Sequence, residues 1–124
     1  MAPGKSQKMV IVATHGMDQP ELATISLVVG NAALAMDTKV VLVLQSSGVT
    51  IATKGIYEHI AAPGFDPLAK LLGSFLEFGG KILVCIPCLG PRQITPENLV
   101  SGAEPVKAAR VVTEMLDADA VVSY

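Results

Sequence analysis

Four short runs of consecutive apolar, mostly β-branched residues recur along the chain: "MVIVAT" (9–14), "KVVLVLQ" (39–45), "KILVC" (81–85) and "AVVSY" (120–124). A strand with one solvated face alternates apolar and polar residues, whereas an unbroken apolar run requires cover on both faces. The segments between the runs carry helical periodicity. Strands buried on both sides and separated by helices restrict the chain to a parallel sheet flanked by helices. The expected fold is α/β, a three-layer α/β/α sandwich around a mostly parallel sheet of four to five strands. A chain of 124 residues has the length of one domain. That domain is expected over residues 9–124, after a flexible N-terminal segment over residues 1–8.

The first helix is expected from Pro20 to about Met36. Asp18 and Glu21 stand at capping-box spacing, and Pro20 suits a first turn. Leu22, Ile25, Val29, Ala33 and Met36 share one face, while Leu27, Val28 and Leu34 lie elsewhere on the cylinder. A helix apolar on more than one side is expected to be buried on two. Residues 46–64, "SSGVTIATKGIYEHIAAPG", leave two alternatives open: a short strand over 50–53, or a turn with an irregular helix. Asp66 and Pro67 then read as N-cap and N1 of a helix with the apolar stripe Leu68, Leu71, Leu72, Phe75 and Leu76, ended by Gly79-Gly80. Thr95-Pro96 predicts a short helical turn. Ser101 and Glu104 predict the start of a last helix, with Ala108, Val111, Val112 and Met115 inside.

Composition narrows the partners. Apolar residues make up 51% of the chain and charged residues 16%, so some apolar surface is expected to be buried between copies in a homo-oligomer. Net charge is −2, and Lys and Arg are scattered. Nucleic-acid binding, which needs a positive face, is not expected. The opening "MAPGKSQK" lacks the apolar core of a secretory signal. Residues 22–36 are short for a membrane span and include Thr24, Ser26, Gly30 and Asn31. No membrane association is expected, and a cytoplasmic location is, where thiols stay reduced.

The chain's two cysteines, Cys85 and Cys88, stand three residues apart at the end of the "KILVC" run, with Gly-Pro-Arg close behind. In open parallel sheets, functional groups gather beyond the carboxyl ends of the strands. The loops "HGMDQP", "QSSGV" and "CIPCLGPR" should meet there. One reading makes Cys85 a small buried hydrophobe completing a strand. A thioredoxin-type dithiol needs a long helix starting at the second cysteine, which Gly90 and Pro91 forbid. A transient Cys85–Cys88 disulfide remains open. A closed zinc site wants four ligands, and the whole supply is two cysteines and two histidines, so neither metal nor cofactor is expected. The remaining reading is a nucleophilic or sulfur-carrying thiol. A nearby cation or backbone amides would lower its pKa from about 8.5 and populate the reactive thiolate. Arg92 is the candidate cation. The amides of Ser46, Ser47 and Gly48 are candidate anion binders, and His15 is a candidate hydrogen-bonder or proton donor.

The order of elements, the "LVLQSSGV" end of the second strand and above all "VCIPCLGPRQI" resemble the DsrE/DsrF/YchN-like family of small sulfur-relay proteins. The resemblance implies a three-layer α/β/α domain, assembly as a trimer or hexamer, and a cysteine near a subunit boundary. Counting back from Arg92, Cys85 matches the cysteine of the relay subunits, and Cys88 matches the second cysteine of the YchN-like branch. It further implies a sulfur carrier or sulfurtransferase. Such a protein holds sulfane sulfur as a persulfide on the Cys85/Cys88 loop and exchanges it with a protein donor and acceptor. The alternative is a non-catalytic oligomeric binding or redox-responsive module of the same fold, whose cysteines are structural.

Overall fold

The computed structural model describes residues 6–124, with strands β1 (Lys8–Ala13), β2 (Lys39–Leu44), β3 (Lys81–Cys85), β4 (Ala103–Val106) and β5 (Ala120–Ser123). Helices α1 (Pro20–Ala35), α2 (Leu68–Glu77) and α3 (Ala108–Leu116) connect them. The five strands form one sheet in the order β4-β3-β2-β1-β5, and all neighbours within it are parallel. The α/β expectation holds at the upper strand number.

Alternation along each strand divides the core. Ile11, Ala13, Leu42, Leu44, Ile82 and Val84 face the layer of α1 and α2, where Leu27, Leu72 and Phe75 meet them. Val10, Val12, Val41, Val43 and Leu83 face α3, packing with Val106 and Val111. Cover on both faces is why β1, β2 and β3 have unbroken apolar sequences.

Several expectations need correction. β4 was not expected at all: Ser101 and Glu104 read as a helix start, yet Ala103–Val106 pairs with β3, and α3 begins only at Ala108. "AEPV" is edge-strand sequence. Pro105 lacks an amide to donate, which an edge tolerates. Within α3, Val111 is buried, but Val112 is exposed and Ala108 lies outside the core. Asp18 does not cap α1; Gln19 occupies that position without a side-chain bond. Pro67, not Asp66, precedes the first residue of α2. Of the expected flexible segment 1–8, residues 1–5 lie outside the described residues. Gln7 accepts from the Lys39 amide and Lys8 already belongs to β1. The ambiguous stretch resolves to a 3₁₀ helix over Ser46–Ala52, followed by an antiparallel bridge between Thr53 and Leu99.

Candidate functional site

β3 delivers Cys85 to the carboxyl edge of the sheet, opposite Val106. The chain then makes two short 3₁₀ turns, Ile86–Cys88 and Gly90–Arg92, separated by the buried Leu89. Pro87 sits inside the first turn and Pro91 inside the second. No long helix follows Cys88, as the prolines require. The tight turn folds Cys88 back over Cys85, leaving the two Sγ atoms 3.1 Å apart. Both cysteines are free thiols and half-buried.

Their surroundings differ. Burial pushes the Cys85 thiol above its ordinary value, a hydrogen bond with the Cys88 sulfur adds to this, and the Cys88 backbone amide works against it. Cys88 Sγ receives a backbone N–H from Ser46 at 3.2 Å. Ser46 has φ +53°, in the left-handed region a residue with a β-carbon seldom adopts. That conformation turns its amide toward the third loop. Arg92 is exposed, and its Nη1 donates to the Cys88 carbonyl oxygen at 3.1 Å. Its hydrogen bond therefore secures the turn's backbone.

The three rim loops interlock. The Gln45 amide donates to the Ala13 carbonyl, and the Met17 amide donates to Thr50 Oγ1 at 2.9 Å. Thr50 in turn donates to the Ser47 carbonyl at 2.7 Å, and the Gly48 amide is taken by the Gln45 carbonyl. Gly48 is required by close approach: a β-carbon there would lie 1.9 Å from the Ala13 carbonyl oxygen. Of the amides read as anion binders, Ser46's thus serves Cys88 and Gly48's closes its own turn.

His15 follows β1, and β2 separates that strand from β3. Its Nδ1 pairs with Asp18 Oδ2 at 2.8 Å, and Asp18 Oδ1 accepts the Gly16 amide. Burial acts to raise the Asp18 carboxyl, but the Gly16 amide and His15 outweigh it and hold it below its usual value. Asp18 and Thr50 are the residues of this rim that sequence reasoning missed. The His-x-x-Asp spacing was the available signal for the first. Thr50 offered none, since only the fold brings it under Met17.

Met17 and Ile86 expose apolar side chains on this rim. A cavity of about 310 Å³ lies beside Met17, lined by Pro20, Gly55, Ile56, His59 and Ile60. A larger one, about 630 Å³, opens at the opposite, amino-terminal end of the strands beside Lys8, Lys39 and Lys81, away from the thiols. Among the described residues, no three His, Cys, Asp or Glu side chains converge as a metal-holding group. Nor is any helix there long and apolar enough to cross a membrane.

Residues 7–124 match the sequence model of the DsrE/DsrF-like family. The chain belongs to that family. A curated relative, the uncharacterized protein MJ0760 of Methanocaldococcus jannaschii, is 31% identical over 100 residues, which is 81% of this chain. The chain spans only 36% of that relative's length. The crystal structure of the YchN protein from Escherichia coli superposes with a TM-score of 0.80 at 25% identity, covering 95% of this chain and 99% of YchN. MTH1491 of Methanobacterium thermoautotrophicum, a protein of unknown function, shares the fold at a TM-score of 0.69 and 14% identity, covering 94% of this chain and 99% of its own. The DsrE/DsrF-like fold thus accounts for nearly the whole chain, and the cysteine turn sits on its sheet's carboxyl rim.

Proposed function

We propose that the protein is a cytoplasmic, homo-oligomeric sulfur carrier, which accepts sulfane sulfur as a cysteine persulfide on the Cys85/Cys88 turn and passes it to a partner protein. The observation that carries this reading is the pair of thiols 3.1 Å apart at the sheet's carboxyl rim, with the Ser46 amide directed at one of them. Loading is a displacement. A thiolate attacks the outer sulfur of a donor persulfide, the donor's S–S bond breaks, and the donor leaves as its thiol. The product persulfide is anionic and profits from the same amide. Membership of the family supports the sulfur chemistry, and Met17 and Ile86 supply apolar contacts for an incoming protein at the same edge.

Intact-mass measurement after exposure to a low-molecular-mass persulfide tests this reading. At least one of Cys85→Ser and Cys88→Ser is expected to gain the mass of one sulfur, lost again on reduction, and the double variant none. Uptake by neither single variant, or equal uptake by the double variant, removes the carrier role. The half-buried, raised-pKa Cys85 also favours a second reading, an oligomeric binding or redox-responsive module whose thiols only pack. That reading predicts slow alkylation of both cysteines and no sulfur uptake by either.

A further inference from the structure

We infer that the two thiols have separate duties: Cys88 takes up the sulfur, and Cys85 discharges it as hydrosulfide by closing a Cys85–Cys88 disulfide. This rests on the sulfur-carrier reading and adds an activity to it, the reduction of sulfane sulfur to sulfide within the protein.

The assignment of Cys88 follows from its donors. A thiolate or persulfide at Cys88 sits against the Ser46 amide, which donates to its Sγ at 3.2 Å, with the Cys85 sulfur 3.1 Å away. Hydrogen bonds to an anionic acceptor are roughly twice as strong as those to a neutral one. Ser46 holds a left-handed conformation while making this contact, and such conformations persist where surrounding structure enforces them. Burial, by contrast, raises the Cys85 thiol at the strand end above its ordinary value.

The discharge follows from the distance. A disulfide needs about 2.0 Å between sulfurs, so closure from 3.1 Å asks for a shift of about 1 Å, within reach of side-chain rotation in one 3₁₀ turn. The contact is between the two Sγ atoms, which directs Cys85 to the inner sulfur of a Cys88 persulfide. The step balances without a further oxidant. Cys85–SH and Cys88–S–S⁻ become Cys85–S–S–Cys88 and HS⁻. One S–S bond forms and one breaks, both cysteine sulfurs are oxidised, and the outer sulfur is reduced by two electrons. Cys85 attacks as the thiolate, and its proton passes to the departing sulfur, which leaves as HS⁻. An external dithiol then resets the pair.

A single-turnover experiment without reductant decides the matter. Wild type, Cys85→Ser, Cys88→Ser and the double variant are exposed to a low-molecular-mass alkyl persulfide and freed of it. Non-reducing mass and hydrosulfide are then measured against the double-variant background. Wild type is expected to lose the mass of two hydrogens and to release one hydrosulfide per chain. Cys85→Ser should gain one sulfur and retain it, and Cys88→Ser should not load. Limiting alkylation of unmodified wild type, read by peptide mapping, should label Cys88 before Cys85 and needs no variant to fold. If wild type stays loaded and releases no hydrosulfide while Cys85→Ser loads, the discharge step is wrong and the carrier reading stands. Loading of Cys88→Ser but not Cys85→Ser, or earlier labelling of Cys85, reverses and overturns the assignment. Loading of neither single variant removes the carrier reading and this inference with it.

Discussion

Ser46 contributes to the site through its backbone, and its side chain is dispensable to that contact. The left-handed conformation at φ +53° costs a residue with a β-carbon roughly 1–2 kcal/mol, a cost glycine does not bear. Ser46→Gly is therefore expected to keep the N–H···S contact and sulfur uptake, at unchanged or slightly higher stability. Gly48 is the opposite case. An alanine methyl there would meet the Ala13 carbonyl oxygen at 1.9 Å, and a backbone atom in β1 has no rotamer by which to yield. Gly48→Ala should cost about 2 kcal/mol or more, seen as a lower urea midpoint at unchanged slope. A Gly48→Ala protein as stable as wild type would mean that the second loop does not rest on β1 as described.

At the scale of elements, α3 is tied to the sheet by ion pairs centred on Glu114. Glu114 accepts from Lys8 Nζ at 2.6 Å, where β1 begins, and from Arg110 Nε at 2.7 Å, while Arg110 also reaches Glu104 of β4. The Lys8 hydrogen bond, then that of Arg110, hold the Glu114 carboxyl below its ordinary value. A carboxylate whose pKa is lowered by folding stabilises the fold at neutral pH. That contribution persists down to the unfolded-state value and is lost as pH falls through the folded-state one. Glu114→Gln should lower the urea midpoint at pH 7 and flatten its decline in acid. A variant with the wild-type acid limb would show that this carboxylate does not link α3 to β1. Lys8 and Glu114 are 106 residues apart in sequence, so no local pattern announces their pairing. β1, β2 and β3 were legible because burial on two faces leaves a continuous apolar run. β4 was hidden because an edge strand needs no such run, and Ser101 and Glu104 mimic a capping box in its place. The site divides the same way. Cys85 and Cys88 were legible because they end a buried strand ahead of helix-breaking residues. The partner of Arg92 was not, because the second 3₁₀ turn carries its guanidinium to a carbonyl.

For the molecule as a whole, α1 poses the remaining physical problem. It has one charged residue, Glu21, in sixteen, whereas a helix with one face in water normally carries a polar outer stripe. Val28, Ala32 and Ala35, at i, i+4 and i+7, lie away from the core side set by Ala23, Leu27 and Gly30. Beside them Phe78 is 70% exposed, and an apolar hollow of about 330 Å³ opens between Ala35, Leu71 and Phe78. Asn31 lines it. Its Nδ2 donates to the Leu71 carbonyl, while its Oδ1 is buried with no partner among the described residues. A buried acceptor left unpaired is costly and rare. A second copy of the chain laid against α1 and the end of α2 would cover the apolar stripe and the hollow beside Phe78, so this face is proposed as the homo-oligomer contact. Ala32→Glu is the discriminating variant, because Ala32 is exposed in the single chain. On an isolated protomer the change should cost less than about 0.5 kcal/mol, but between copies it would bury an unpaired charge. Light scattering should find wild type as an assembly and Ala32→Glu as a monomer with unchanged far-ultraviolet circular dichroism. A monomeric wild type, or an Ala32→Glu protein that assembles as well as wild type, would exclude this face as the contact.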